Sequence, residues 1–251
     1  MGQQASLVCS DIEVRYGGNH VLKRISCEFG PGSIVGIIGP NGSGKTTLLN
    51  VISGWLKPNR GTVRFGERIS GLPRELLARN GIFRSFQTAR LFESLTGDEN
   101  VGAALRPPQD ERLVAALLLP IPERDDRRLS VRNALDVVGA RDEHEAPAQQ
   151  MSYGMRKRTI LAQATVAQPT IALLDEPLAG TDPKTRSLMI AAIQRLKAEE
   201  RIVLWVEHDI DALAAASDRL LALDRGTIVA DGLPMDVIEN QGVRDIYFRP
   251  L

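Results

Sequence analysis

Ile34-Val35-Gly36-Ile37-Ile38-Gly39-Pro40-Asn41-Gly42-Ser43-Gly44-Lys45-Thr46-Thr47 is the stretch that decides the fold. The run Ile34 to Ile38 is continuously apolar, as a strand covered on both faces must be. It feeds Gly39 to Thr46, which fits GxxxxGK[ST], and helical periodicity follows from Lys45 to about Gly54. Gly39, Gly42 and Gly44 let the backbone wrap closely round a phosphate, so that N–H groups of Asn41 to Thr47 and the helix N-terminus can face it. In this arrangement Lys45 reaches the β- and γ-phosphates and the Thr46 hydroxyl ligates Mg2+. Lys45 is read as a loop charge whose loss would leave the core intact.

A second chemical element lies downstream. Ile171-Ala172-Leu173-Leu174 is an apolar strand ending in Asp175-Glu176. Such a strand delivers Asp175 to the sheet edge, where it can hold Mg2+ directly or through water. Glu176 then stands where a carboxylate can polarise an attacking water. An acidic pair after a strand is weak evidence alone; joined to the glycine-rich loop it defines a nucleotide site.

Between and around these elements, short apolar strands alternate with helical stretches, the pattern of a parallel α/β sheet. Leu7 to Tyr16 and Val21 to Phe29 read as an antiparallel opening, and Thr62 to Phe65 as a further antiparallel strand. From about Gln87 to Ala167 strands give way to helical patches at Asp98 to Leu105, Glu111 to Leu119 and Arg127 to Val138, broken by prolines. The core resumes with a strand at Thr170 to Leu174, a helix at Pro183 to Glu200, a strand at Ile202 to Val206 and a helix at Asp209 to Ala216. A hairpin turning at Asp224-Arg225-Gly226 and a helical tail follow. Asp182 before Pro183 is a helix start, a capping side chain ahead of proline. The expected organisation is one domain over 1–251. Residues 1–86 and 168–251 form its α/β core and 87–167 an all-helical insert.

Met151-Ser152-Tyr153-Gly154-Met155, shortly before the acidic pair, resembles the signature sequence of ABC-type ATPases. The resemblance spans essentially the whole chain with the motifs in family order. It implies a RecA-like P-loop core with an N-terminal antiparallel β subdomain and an all-helical insert. By the same resemblance Tyr16 stacks on adenine, Gln87 approaches Mg2+ and the attacking water, and Asp182 shapes a dimer interface. His208 is the switch histidine at the γ-phosphate. Ser152 and Gly154 face the γ-phosphate held by an opposite subunit, at the N-terminus of the helix running to Ala167. The cofactors so implied are ATP and Mg2+.

Two motifs depart from the common form. Met151, Tyr153 and Met155 replace Leu, Gly and Gln of LSGGQ, and Leu178 to Asp182 keeps only the Asp of the usual SALD. The hydroxyl, the close-approach glycine and the helix dipole survive these changes. Phe83 to Phe92, Leu95-Thr96, Glu99-Asn100, Ser152-Tyr153-Gly154, Val206 to Asp209 and a tail containing Asp245-Ile246-Tyr247 are similar to the longer ATPase subunit of bacterial branched-chain amino-acid importers. That similarity implies a second ATPase subunit, identical or paralogous, integral-membrane permease subunits, and indirectly a periplasmic solute-binding protein. It places the chain at the cytoplasmic face of the cell membrane. The alternatives are an ATPase of another transporter, for urea, amides or lipid, or a soluble ABC ATPase outside transport.

Composition narrows the field from the other side. The 251 residues carry 31 Lys plus Arg against 31 Asp plus Glu, and only 4% are aromatic. A neutral chain poor in aromatics argues against nucleic acid as a partner, which demands a basic excess or stacking platforms. The two cysteines, Cys9 and Cys27, are too few for a disulfide framework or a zinc site, and read as ordinary thiols. The longest apolar run, Leu113 to Leu119, stops at Pro120, far short of the roughly 20 residues that span a bilayer. No export signal is expected. His20 and His144 are expected on the surface.

Overall fold

Unbroken buried runs of four or five apolar residues build the centre of one sheet. In the computed structural model these are β3 (Ser33–Ile38), β7 (Ile171–Asp175) and β8 (Ile202–Val206). The structure describes residues 6–68, 81–86, 89–105, 121–141, 145–197 and 201–247, with only the backbone of 121–125. The chain divides into two compact units. One comprises Met1–Arg84, Thr170–Glu176 and Lys197–Leu251; the other comprises Ser85–Pro169 and Pro177–Leu196.

The first unit holds both sheets. Around the buried trio, β6 (Ile82–Arg84) is the short edge strand, while β9 (Arg219–Asp224) and β10 (Thr227–Gly232) form a hairpin on the other side. The strand order is β10-β9-β3-β8-β7-β6, parallel except for the terminal hairpin. The second sheet is antiparallel and runs β2-β1-β4-β5, from β1 (Leu7–Tyr16), β2 (Asn19–Phe29), β4 (Arg60–Phe65) and β5 (Glu67–Arg68). Its inward residues Leu7, Ile12, Leu22, Ile25 and Phe29 join one core with Leu48, Leu49 and Ile52 of α1 (Lys45–Ile52) and with Ile171, Leu173, Ile202 and Leu204. Helix α1 therefore starts at the glycine-rich loop and is anchored along its length in the shared core. The remaining helices of this unit are α6 (Ile210–Ala216), α7 (Pro234–Glu239) and α8 (Gln241–Tyr247).

The second unit is helical. It contains α2 (Gly97–Gly102), α3 (Ile121–Val137), α4 (Tyr153–Ala167) and α5 (Pro183–Leu196). Thr96 and Glu99 form a reciprocal capping box at the start of α2, which satisfies two backbone donors at once. Asn100, fully buried, fixes the preceding loop. Its Oδ1 accepts from the Phe92 N–H at 2.8 Å, and its Nδ2 donates to the carbonyls of Phe92, Leu95 and Thr96.

The expected strands and helices are found within a few residues of where the sequence puts them. Two features are new. Strand β6 does not stand out in the sequence, because three half-buried residues carry no readable period. Helix α5, assigned from sequence to the α/β core, groups with the helices instead. The expected helix at Glu111 to Leu119 lies outside the described residues.

Candidate functional site

The glycine-rich loop closes on itself through the lysine. Lys45 Nζ donates to the Gly39 carbonyl at 2.7 Å and to the Pro40 carbonyl at 3.0 Å. Ser43 N–H donates to the Pro40 carbonyl at 3.1 Å. Gly39 has φ 151°, and a Cβ there would lie 2.1 Å from the Leu223 carbonyl oxygen, so a side chain is excluded by neighbouring backbone. Lys45 is buried, not the exposed charge expected from sequence. Burial lowers its pKa from the ordinary lysine value, and the charges of Glu176 and Asp175 act in the opposite direction. Those three side chains therefore share one electrostatic environment. Thr46 is exposed and Thr47 half-buried in the first turn of α1, and Ser43 is buried.

The acidic pair caps β7. Asp175 is buried and paired with Arg84, whose Nη2 lies 3.4 Å from Asp175 Oδ2. Glu176 leaves the strand in a left-handed conformation, φ 49°, held by its N–H donating to the Val206 carbonyl at 2.9 Å. A left-handed conformation costs a residue other than glycine roughly 1–2 kcal/mol. The turn aims the Glu176 carboxylate at the segment that follows β8. There His208 Nε2 lies 2.8 Å from Glu176 Oε1. The carboxylate is mostly covered, with 13% of its side-chain surface exposed, whereas 51% of His208 is open. Asp209 holds the His208 segment by capping α6, accepting from the Ala212 N–H at 2.9 Å. Lys45, Asp175, Glu176 and His208 thus converge at the ends of β3, β7 and β8, where ligands of open α/β sheets bind.

The C-terminal helix adds a neighbour that the sequence marks only as part of the family-like tail. Burial raises the pKa of Tyr247 at the end of α8, with the Gly39 backbone acting in the opposite direction, and Ile246 lines a cavity of about 250 Å3 with Asn41, Gly42, Ser43 and Arg225. Tyr16 ends β1 with 52% of its surface exposed, as a stacking platform must be. Gln87 lies outside the described residues. His20 is half-buried with Nε2 3.8 Å from Glu13 Oε2, so it is less open than expected, and His144 is not among the described residues.

In the helical unit, Ser152 caps α4 by accepting from the Met155 N–H at 3.3 Å, and Gly154 follows in the first turn. Asp182 starts α5, its Oδ1 accepting from the N–H groups of Lys184 and Thr185 at 3.0 and 3.1 Å. The two departures from the common motifs meet. A Cβ on Gly180, at φ 73°, would lie 3.0 Å from the Tyr153 ring. The ring also faces Lys157 Nζ, 5.3 Å from its centroid. A large residue in the first motif is thus matched by the absence of one in the second.

A family model described as ABC transporter matches residues 22–179. The chain is 34% identical to the high-affinity branched-chain amino acid transport ATP-binding protein LivG of Salmonella typhimurium, covering 97% of this chain and 98% of that one. It is 32% identical to the corresponding protein BraF of Pseudomonas aeruginosa, over 96% of both. The chain belongs to the ABC transporter family. The solved structure of a nucleotide-free ATP-binding cassette from an ABC transporter superposes with a TM-score of 0.81 at 27% identity, covering 98% of this chain and 100% of that one. A dimeric bacterial ABC transporter cassette gives 0.78 at 25% identity, over 91% and 98%. The fold of this ABC transporter chain is that of the ABC ATPases, and the chain is an ATPase of that class.

Sequence reading missed one polar residue at the core of this ABC cassette. Arg84 was visible only as part of a family-like stretch, yet its guanidinium is buried beside Asp175. A charged residue at the end of a short apolar run was the available signal, since buried arginine is rare unless paired.

Proposed function

We propose that this chain binds and hydrolyses ATP to drive an importer of branched-chain or related amino acids. The observation that carries the reading is the 2.8 Å contact between His208 and Glu176, set beside the Lys45 loop. Lys45 would exchange its carbonyl partners for the β- and γ-phosphates, and the N–H groups of Asn41 to Thr47 would face the same charge. The Thr46 hydroxyl and the Asp175 carboxylate are hard oxygen donors that suit Mg2+, with Gln87 the third expected contact. When bound, that ion neutralises charge on the phosphate oxygens. Glu176 would accept a proton from the attacking water, with His208 orienting the carboxylate and reaching the γ-phosphate.

Two copies are proposed to close head-to-tail, each nucleotide held by the loop of one and by Ser152 and Gly154 of the other, with Asp182 shaping the interface. A dimeric relative and the anion-binding helix start at Ser152 support this. ATP would favour the closed pair because its γ-phosphate touches both halves only there. The movement would pass to permease subunits, with the chain peripheral on the inner face of the membrane and a periplasmic solute-binding protein supplying cargo. Among the described residues no helix is long and apolar enough to cross a membrane. Extended similarity to LivG and BraF supports branched-chain amino acids as the solute class.

Two measurements test the reading. Purified chain should release phosphate from MgATP, and Lys45→Ala should lose ATP affinity while remaining folded. Loss of the gene should abolish uptake of radiolabelled leucine, isoleucine or valine. Unchanged ATP affinity in folded Lys45→Ala overturns the phosphate role, and unchanged uptake of all three amino acids overturns the solute assignment.

A further inference from the structure

Arg84 ends β6 at the edge of the parallel sheet, in register with Leu173 of β7. Its side chain is 5% exposed, and that of Asp175 1%. The guanidinium reaches both the strand tip and the helix end. Nη2 lies 3.4 Å from Asp175 Oδ2, and Nη1 donates to Ser53 Oγ at 3.1 Å. Ser53 closes α1, the helix that begins with Lys45 and Thr46, and its hydroxyl donates onward to the Leu49 carbonyl at 2.7 Å. The arginine therefore ties the end of the phosphate-loop helix to the acidic tip of β7.

Burial without compensation would be costly for both ions. Desolvation lowers the Arg84 pKa to about 10, and the Asp175 charge acts against that fall. Lys45, the other nearby cation, is committed to the Gly39 and Pro40 carbonyls. Arg84 is thus in direct ionic contact with the Asp175 carboxylate.

We propose that Arg84 is a positioning residue that acts as a resident counter-cation for Asp175, competing with Mg2+ and so setting the magnesium concentration at which nucleotide is held. The inference rests on the reading of Asp175 as a magnesium contact. A carboxylate with a fixed guanidinium beside it is oriented before nucleotide arrives, and a divalent ion must share it with a positive neighbour. An opposite charge at 4–6 Å alters the proton affinity of a carboxylate by about 10–1000-fold, and its effect on another cation follows the same sign.

The test is a titration of the full chain with MgCl2 at fixed fluorescent ATP analogue, read as nucleotide binding and not as turnover. Arg84→Met should lower the half-saturating Mg2+ by about tenfold, the low end of that range, with analogue affinity in EDTA unchanged. Arg84→Lys, which keeps the charge, should stay closer to the parent than Arg84→Met does. Ser53→Ala removes the hydroxyl that Nη1 donates to, together with that hydroxyl's own donation to the Leu49 carbonyl, and should move the midpoint in the Arg84→Met direction. This milder variant keeps the question answerable if Arg84→Met does not fold. A midpoint that is unchanged or raised in folded Arg84→Met overturns the proposal, as does an unchanged or raised midpoint in Ser53→Ala if Arg84→Met does not fold. Asp175→Asn separates the two levels of the argument. If it leaves the magnesium midpoint untouched, the assignment of Asp175 has failed, whatever Arg84 does.

Discussion

His208 Nε2 and Glu176 Oε1 stand 2.8 Å apart although 32 residues separate them in the chain. Each is delivered by the end of a different buried strand, so the contact depends on the β7–β8 register, in which Asp175 faces Val206.

Glu176→Gln keeps the size of the side chain and one oxygen for His208 but removes the proton acceptor. Loss of a positioned general base lowers the rate by about 10²–10⁴-fold. ATP binding should persist, and an ATP-dependent dimer should accumulate in sedimentation. Full phosphate release by the purified variant would move the search for the base to Gln87 and His208.

Ser152→Arg places a bulky cation at the start of α4. Monomeric ATP affinity should be near that of the parent, while ATP-driven pairing is lost. Light scattering of this variant in a Glu176→Gln background is the measurement. Parent-like dimers would show that Met151 to Met155 is not a working signature.

Gly180→Ala meets both a left-handed backbone, at φ 73°, and the Tyr153 ring. The backbone alone costs roughly 1–2 kcal/mol. Tyr153→Ala should relieve the steric share. Chemical denaturation of the two single variants and the double variant should then show a favourable coupling of at least about 0.5 kcal/mol, the lower end for contacting residues. Strict additivity would mean that ring and glycine are matched only by coincidence.

Asn100→Ala leaves the Phe92 N–H and the carbonyls of Phe92, Leu95 and Thr96 without their side-chain partner. The three carbonyls keep backbone donors in Leu95, Ala148 and Asn100, so the Phe92 N–H is the group that loses its partner, a loss of about 0.5–1.5 kcal/mol. A clear fall in the denaturation midpoint is expected, with ATP affinity in the surviving folded fraction unchanged. A parent-like midpoint would assign the loop from Phe92 to Thr96 to solvent rather than to Asn100.

The glycine-rich loop was legible because its pattern is local, eight consecutive residues from Gly39 to Thr46 between a strand and a helix. Strands β3, β7 and β8 were legible because burial on both faces writes an unbroken apolar run. Arg84 was not, since its partners Ser53 and Asp175 lie 31 and 91 residues away and the pairing exists only once β6 is laid beside β7. The grouping of α5 escaped for the same reason. An amphipathic helix shows that it has a buried face, but not which neighbour covers it. The burial of Lys45 was not legible, because the carbonyls that cover its ammonium come from the loop's own curvature.

The left-handed backbone at Glu176 sets evolution and engineering against each other. Glycine adopts φ 49° without penalty, so Glu176→Gly would relax the turn at the moment it removes the carboxylate. A search for heat-resistant variants that ignores transport is therefore drawn toward this position, at the expense of the carboxylate proposed as the base. Only a screen that requires growth on the imported solute keeps the strained glutamate in place.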